Sequence, residues 1–193
     1  MADEDPRGWE AFAEDYIRTR SRTIGAGTVT AWAELLRPGG AVLDLGCGFG
    51  EPNARALVEA GFEVFGVEAS PSLAAACREH VPGMAVACEA VQGSAFFGRR
   101  FDGVLAIGLV FLLEEAEQRS LLRRVAGVLR EGGRLLFSAP WQVCSWETMP
   151  TGAVSRSLGR EAYVDLLGDC GLALVEESVD EGENHHFHFQ RIG

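Results

Sequence analysis

Residues Val42 to Asn53 read VLDLGCGFGEPN, and this stretch decides the fold. Ala41, Val42 and Leu43 form a short apolar run that suits a buried parallel strand. Asp44 sets a carboxylate at the strand's end, and Gly46-Cys47-Gly48-Phe49-Gly50 follows as G-x-G-x-G. Pro52 suits the first turn of a helix, where its missing N–H costs little. The order is strand, acid, glycine loop, helix. Such a loop lets a ligand lie against bare backbone at a helix N-terminus.

The loop departs from the usual dinucleotide pattern, G-x-G-x-x-G, in which the helix N-terminus faces a pyrophosphate. Here the third glycine comes one position early, and Glu51 takes the place of the last one. A carboxylate beside the loop repels a pyrophosphate and suits a ligand that carries an ammonium or sulfonium charge.

Working outward, apolar periodicity predicts helices over residues 8–20 and 24–36, the second closed by Pro38-Gly39-Gly40. Strands are expected over 41–45, 62–67, 84–88, 103–108 and 134–138, with helices over 52–60, 71–80, 115–129 and 160–170 between or after them. Ser70-Pro71 is an N-cap and first-turn pair. Residues 140–157 lack periodicity and hold Pro140, Trp141, Trp146, Pro150 and Gly152, so a loop is expected there. Residues 172–179 and 186–191 read as a closing pair of strands around Asp180-Glu181-Gly182-Glu183-Asn184. Alternating strands and helices imply a mostly parallel sheet, and the closing pair adds an antiparallel strand.

Composition narrows the function classes. The chain has 193 residues, 47% hydrophobic and 23% charged, the range of one soluble domain with a full core. We therefore expect residues 1–193 to form one domain, with residues 1–37 supplying helices that cover the site. The formal net charge of -11 argues against nucleic-acid binding, which needs a basic face. No apolar run approaches a membrane span of ~20 residues, and the acidic start MADEDPRGWE is not expected to be a secretory signal. The five cysteines, at 47, 77, 88, 144 and 170, contain no C-x-x-C pair, so a reducing, cytoplasmic setting is expected. Cys47 fills a place that needs a small residue and is not read as a nucleophile.

Further motifs lie in order along the chain. Glu68 ends the second strand eighteen residues after Gly50, where a carboxylate can accept both ribose hydroxyl hydrogens of a nucleoside. Cys88-Glu89-Ala90 follows the third strand, Phe101-Asp102-Gly103-Val104 opens the fourth, and Leu129-Arg130-Glu131-Gly132-Gly133-Arg134-Leu135 leads into the fifth. The string Asp44-Leu45-Gly46-Cys47-Gly48-Phe49-Gly50 resembles the first motif of the class I S-adenosylmethionine (SAM)-dependent methyltransferases. The later stretches resemble that family's F-D-x-V and L-x-x-G-G-x-L motifs, so the resemblance spans residues 42–138.

The resemblance implies an α/β, Rossmann-like methyltransferase fold. Its seven-stranded, mostly parallel sheet has the order 3-2-1-4-5-7-6, with strand 7 antiparallel and helices on both faces. It implies SAM as cofactor and S-adenosylhomocysteine as product. Asp44, Gly46, Cys47 and Gly48 would lie along the cofactor, with Glu68 and Ala69 at the ribose. Glu89 and Ala90 would meet the adenine, where the family's usual Gly-Asp-Ala is absent. Ile107 and Gly108 would face the cofactor from the fourth strand, and Asp102 would be a structural turn residue.

The family's acceptor sites vary widely. The pocket is expected between the N-terminal helices, the end of strand four, the 140s loop and the closing hairpin, with Tyr16, Phe111 and Trp141 as acceptor contacts. Arg20, Trp146, His185 and His186 are further candidates, and Arg20 or Arg22 is a candidate for the SAM carboxylate. If the acceptor must lose a proton, His185 and His186 are the candidate bases. On a strand His186 and His188 share one face. Two ligands fall short of the three or four that zinc takes, so no metal is expected. The resulting expectation is methyl transfer to a small-molecule acceptor by in-line displacement. An NAD(P)-binding oxidoreductase and a SAM-binding regulator without catalysis remain the alternatives. Oligomeric state is not legible in the residues.

Overall fold

The computed structural model describes residues 8–193. The expectation drawn from the acidic start therefore falls mostly outside the described residues. Among the described residues, the six α-helices and nine strands are as follows: the helices are α1 (Ala13–Thr19), α2 (Ala26–Ala33), α3 (Asn53–Glu59), α4 (Pro71–His80), α5 (Glu115–Val128) and α6 (Arg160–Gly168). Nine strands are β1 (Ala41–Leu45), β2 (Glu63–Glu68), β3 (Ala85–Cys88), β4 (Phe101–Ala106), β5 (Leu129–Ser138), β6 (Val143–Thr148), β7 (Ala153–Leu158), β8 (Leu172–Val179) and β9 (His185–Arg191).

Seven strands form one sheet in the order β3-β2-β1-β4-β5-β9-β8. The first five run parallel, and β9 is antiparallel to both β5 and β8. Counted within this sheet, the order is the expected 3-2-1-4-5-7-6. Alternation along β1 sorts the core into two layers. Ala41, Leu43 and Leu45 pack with α5 and α6 residues such as Leu121, Leu122 and Tyr163. Val42 points the other way, toward Trp32 of α2 and Leu57 of α3.

Residues 140–157 are not the loop their prolines and glycine suggest: β6 and β7 form a separate antiparallel hairpin. Its period-2 signal is present, because Val143, Ser145 and Glu147 are exposed while Cys144, Trp146 and Thr148 turn inward. The prolines flank the strands or lie in the turn. Gly152 closes that turn at φ +70°, its N–H donating to the Thr148 carbonyl at 2.8 Å.

Two buried polar groups brace the sheet around the site. Asp102, at the start of β4, accepts the Ala41 N–H at 2.8 Å and pairs with Arg37 and Arg130. It thus fixes the start of β1 against β4, and the two guanidiniums help hold its carboxyl below the ordinary range despite burial. Gln118 of α5 donates to the carbonyls of Leu113 and Arg156 at 2.9 Å each. It also accepts from the Tyr163 hydroxyl at 2.7 Å, and that hydroxyl in turn accepts the Leu158 N–H. This network locks the β6–β7 hairpin onto α5 and α6.

Candidate cofactor and acceptor site

The C-terminal ends of β1, β2 and β4 open onto a cavity of about 820 Å³. Crossing out of β1, Gly46 donates its N–H to the Val67 carbonyl at 2.8 Å. Gly48 lies at φ +56°, and a Cβ there would meet only the Tyr16 ring, at 3.5 Å. The loop backbone at Gly48 is thus bare on the cavity side. Gly50 has a different role: a Cβ there would sit 2.5 Å from Val81 and 3.0 Å from the Cys77 sulfur, so its glycine lets the loop seat against α4.

Glu68 ties the loop to β2. Its carboxylate accepts the Gly48 N–H at 2.8 Å and the Ser70 N–H at 2.9 Å. Asp44, one strand over, is almost fully buried. Burial, and then the nearby Glu68 charge, push its carboxyl up to about 8. This is an acid whose charged form needs a cation beside it. Cys47 turns away from the cavity, its sulfur 3.9 Å from that of Cys77. Contact with Cys77 and burial raise its thiol well above the ordinary value, consistent with a packing role.

Glu51 does not act as an unpaired charge beside the loop. It is buried between Arg22 and Arg55, whose guanidiniums outweigh its burial and lower its carboxyl. The Arg22 contact also pins the chain after α1 to the start of α3. A second anchor is Glu10, which accepts from the Ser70 and Ser72 hydroxyls and from the Ser72 N–H at 3.0 Å. A third is the Gly25 N–H, which donates to Glu181 in the β8–β9 turn at 3.1 Å. Trp9, Tyr16, Phe49 and His80 continue this attachment as edge-to-face ring contacts.

Of the residues singled out in the sequence, Tyr16, Gly46, Gly48, Glu68, Ala69, Ala90, Ile107, Gly108 and Phe111 line this one cavity, as does Arg20. Asp44 and Cys47 lie behind the lining. Glu89 is outside it, its N–H donating to the Glu68 carbonyl at 3.0 Å; neighbouring Val91 and Gln92 line the wall instead. Gly108 is held by its N–H donating to the Ser138 hydroxyl at 2.8 Å.

His185, His186 and Trp141 do not line this cavity. His185 stacks on Trp141 with ring centroids 4.1 Å apart and accepts the Trp141 N–H at Nδ1. His186 is 1% exposed and bonds to Asp180 at 3.1 Å. Both therefore brace the sheet edge. His188, on the face of His186, sits by Arg134 at 3.0 Å, and burial lowers its imidazole to about 4. Among the described residues no group of three or more His, Cys, Asp or Glu could hold a metal ion.

The sequence puts the 140s segment at the pocket but marks neither its lining residues nor Arg124. Thr148, Met149 and Pro150, at the tip of the β6–β7 hairpin, line the outer cavity, and Phe111 meets Trp146 of β6 at 5.3 Å. Arg124 of α5 donates to the carbonyls of Val91 and Gln92 at 2.9 and 2.8 Å, and also to that of Ser94. It shapes the wall after β3 from behind. No local motif marks it, because its targets are backbone atoms thirty or more positions away.

Comparison with known proteins agrees with this architecture. A family model for a methyltransferase domain matches residues 42–133. Trans-aconitate 2-methyltransferase of Methylobacterium radiotolerans is 28% identical over 208 residues, covering 96% of this chain and 74% of that protein. Two solved structures share the fold. One is 1,6-didemethyltoxoflavin-N1-methyltransferase of Burkholderia thailandensis with S-adenosylhomocysteine bound (TM-score 0.74, 19% identity, 95% of this chain and 86% of that one). The other is a SAM-bound amino pentose methyltransferase of Micromonospora echinaspora (TM-score 0.71, 19% identity, 94% and 96%). With the glycine loop, the strand-end carboxylates and the closing antiparallel strand, these matches make the chain similar to SAM-dependent methyltransferases and give it their fold.

Proposed function

We propose that the chain moves the methyl group of SAM to a small-molecule acceptor bound in the outer half of the cavity, as a single domain. The observation that carries this reading is the cavity itself. At about 820 Å³ it falls within the range of small-molecule sites, about 300–1,000 Å³, and the bare Gly48 backbone and the fixed Glu68 carboxylate lie at its inner end. Proteins similar to this chain are named for small acceptors: trans-aconitate, a didemethyltoxoflavin and an amino pentose. The net charge of -11 supports an acceptor other than nucleic acid. The absence of any disulfide among the five cysteines supports a cytoplasmic setting. Among the described residues no helix is long and apolar enough to cross a membrane.

In this reading Gly46 and Gly48 permit close approach of the cofactor, and Glu68 accepts from the ribose hydroxyls. Ala69, Ala90 and Val91 cover the nucleobase, and Ile107 and Gly108 flank the reacting end. Asp44 supplies a countercharge from behind the loop. Tyr16 and Arg20 close over the site, with Arg20 suited to the amino-acid carboxylate. When bound, SAM supplies a methyl group on a positively charged sulfur: the acceptor lone pair bonds to carbon as the carbon–sulfur bond breaks, and its electron pair stays on the neutral thioether. The protein's work is to align the acceptor and exclude water. Isothermal titration with SAM, S-adenosylhomocysteine and NAD tests the reading. SAM and its thioether product are expected to bind and NAD is not. Binding of NAD alone would replace it with the oxidoreductase alternative, and a methyl-labelled SAM screen of metabolite pools would identify the acceptor.

A further inference from the structure

A buried polar atom without a partner is costly, and in a native protein it calls for a reason. Among the described residues several side chains carry such an atom, and of these only Gln92 lines the cavity. Its amide is held in one orientation. Nε2 donates to Glu117 Oε1 at 3.1 Å, and Oε2 of the same carboxylate accepts the Glu114 N–H at 2.9 Å, at the start of α5. An ionised carboxylate only accepts, so turning the amide over would set its carbonyl against Glu117. The nitrogen therefore faces Glu117, and Oε1 is left buried with no partner. The backbone is fixed as well, since Arg124 donates to the carbonyls of Val91 and Gln92.

We propose that the Gln92 amide oxygen accepts from the adenine amino group of the cofactor, and that Glu117 is a positioning residue that presents this oxygen. The inference rests on the methyltransferase reading and adds a specificity-determining residue to its cofactor half. Glu68 ends β2 beside Cys88 of β3. A nucleoside whose ribose meets Glu68 thus lays its base toward the residues that follow β3, where Ala90, Val91 and Gln92 form the wall. Glu89, the acid nearest the end of β3, is outside that wall. Gln92 then supplies the acceptor that Glu89 does not. Adenine carries a donor at its amino group, whereas hypoxanthine carries a carbonyl oxygen at the same place. An acceptor held against that edge favours the first and repels the second, because the amide cannot turn over to donate. A site built to receive a donor discriminates against a ligand that lacks it, since its own buried group is left unpaired.

The test titrates the full chain with S-adenosylhomocysteine and with S-inosylhomocysteine, its deaminated counterpart, by calorimetry. The wild type is expected to bind the adenine compound about tenfold or more tightly than the other. Gln92→Met keeps the length of the side chain and removes the acceptor. It is expected to weaken binding of the adenine compound and to bring the two affinities within about threefold of each other, and this change of ratio is one that a purely structural role would not produce. Glu117→Gln, which lets the Gln92 amide settle either way, is expected to lower the ratio too. Thermal melting checks both variants, and if Gln92→Met does not fold, Glu117→Gln carries the test. Equal binding of the two compounds by the wild type would overturn the inference. So would a wild-type ratio in either folded variant. In both cases the methyltransferase reading stands, because S-adenosylhomocysteine still binds. Failure of S-adenosylhomocysteine to bind the wild type would overturn both.

Discussion

The Glu68 carboxylate bridges the Gly48 N–H at 2.8 Å and the Ser70 N–H at 2.9 Å, so a single side chain sets the glycine loop against the start of α4. Glu68→Ala removes both contacts. SAM affinity is expected to fall by about 1–3 kcal/mol, the cost of losing hydrogen bonds to a charged acceptor. Isothermal titration measures the loss, and circular dichroism confirms the fold. An unchanged dissociation constant in the folded variant would remove Glu68 from the site.

Asp44 should make cofactor binding depend on pH. Burial pushes its carboxyl up to about 8, so below that value it is mostly neutral, and a cationic ligand must draw off its proton. SAM affinity is therefore expected to rise as pH climbs from 6 to 8, with net proton release on binding. For stability of the ligand-free protein the sign is opposite. Between about 4 and 8 the folded state holds a proton that the unfolded chain has lost, so Asp44 contributes stability at low pH and loses it as pH rises through 8. Calorimetry in buffers of differing ionisation enthalpy would read the proton count. Asp44→Asn should abolish the release, and a release unchanged in that variant would show that another group titrates.

His188 works in the other direction. Its imidazole is lowered to about 4, by burial first and then by Arg134. The unfolded chain takes up a proton near 6.5 and the folded one only near 4. Stability from His188 is thus present above about 6.5 and lost as pH falls toward 4. His188→Gln is expected to flatten that part of the stability profile, measured as urea unfolding across the range. A slope as steep as that of the wild type would assign the effect elsewhere.

The legible parts of the molecule are those whose function depends on neighbours in sequence. Asp44 through Gly50 announces the first turn because strand, acid and bare backbone must be contiguous, and Ser70-Pro71 marks the α4 start for the same reason: the Ser70 hydroxyl accepts the Leu73 N–H. Sheet order comes from the family resemblance that these turns carry, not from the turns themselves. The outer site was far less legible. Pro150 and Gly152 sit in the β6–β7 turn, and they concealed the alternation of Val143 to Thr148 around them. His185 and His186 looked chemical because imidazoles are rare, but Trp141 and Asp180, each reached only through the fold, give them structural partners. Glu51 misled for the same reason, since Arg22 is twenty-nine positions away.

The last prediction concerns how the hairpin is held. Tyr163 is fully buried; its hydroxyl donates to Gln118 at 2.7 Å and accepts the Leu158 N–H at 3.1 Å. Leu158 ends β7, and Gln118 also holds the Arg156 carbonyl of that strand. Tyr163→Phe keeps the ring packing against Phe137 and Phe187 but leaves the Gln118 oxygen and the Leu158 N–H without this partner. Stability is expected to fall by about 1–3 kcal/mol, read from the midpoint of urea unfolding. Because the tip of the same hairpin supplies Thr148, Met149 and Pro150 to the outer wall, acceptor KM should rise while SAM affinity stays near that of the wild type. Equal weakening of both would mean that the network supports the whole sheet edge. An effect on acceptor alone would identify the hairpin as part of the acceptor half of the site.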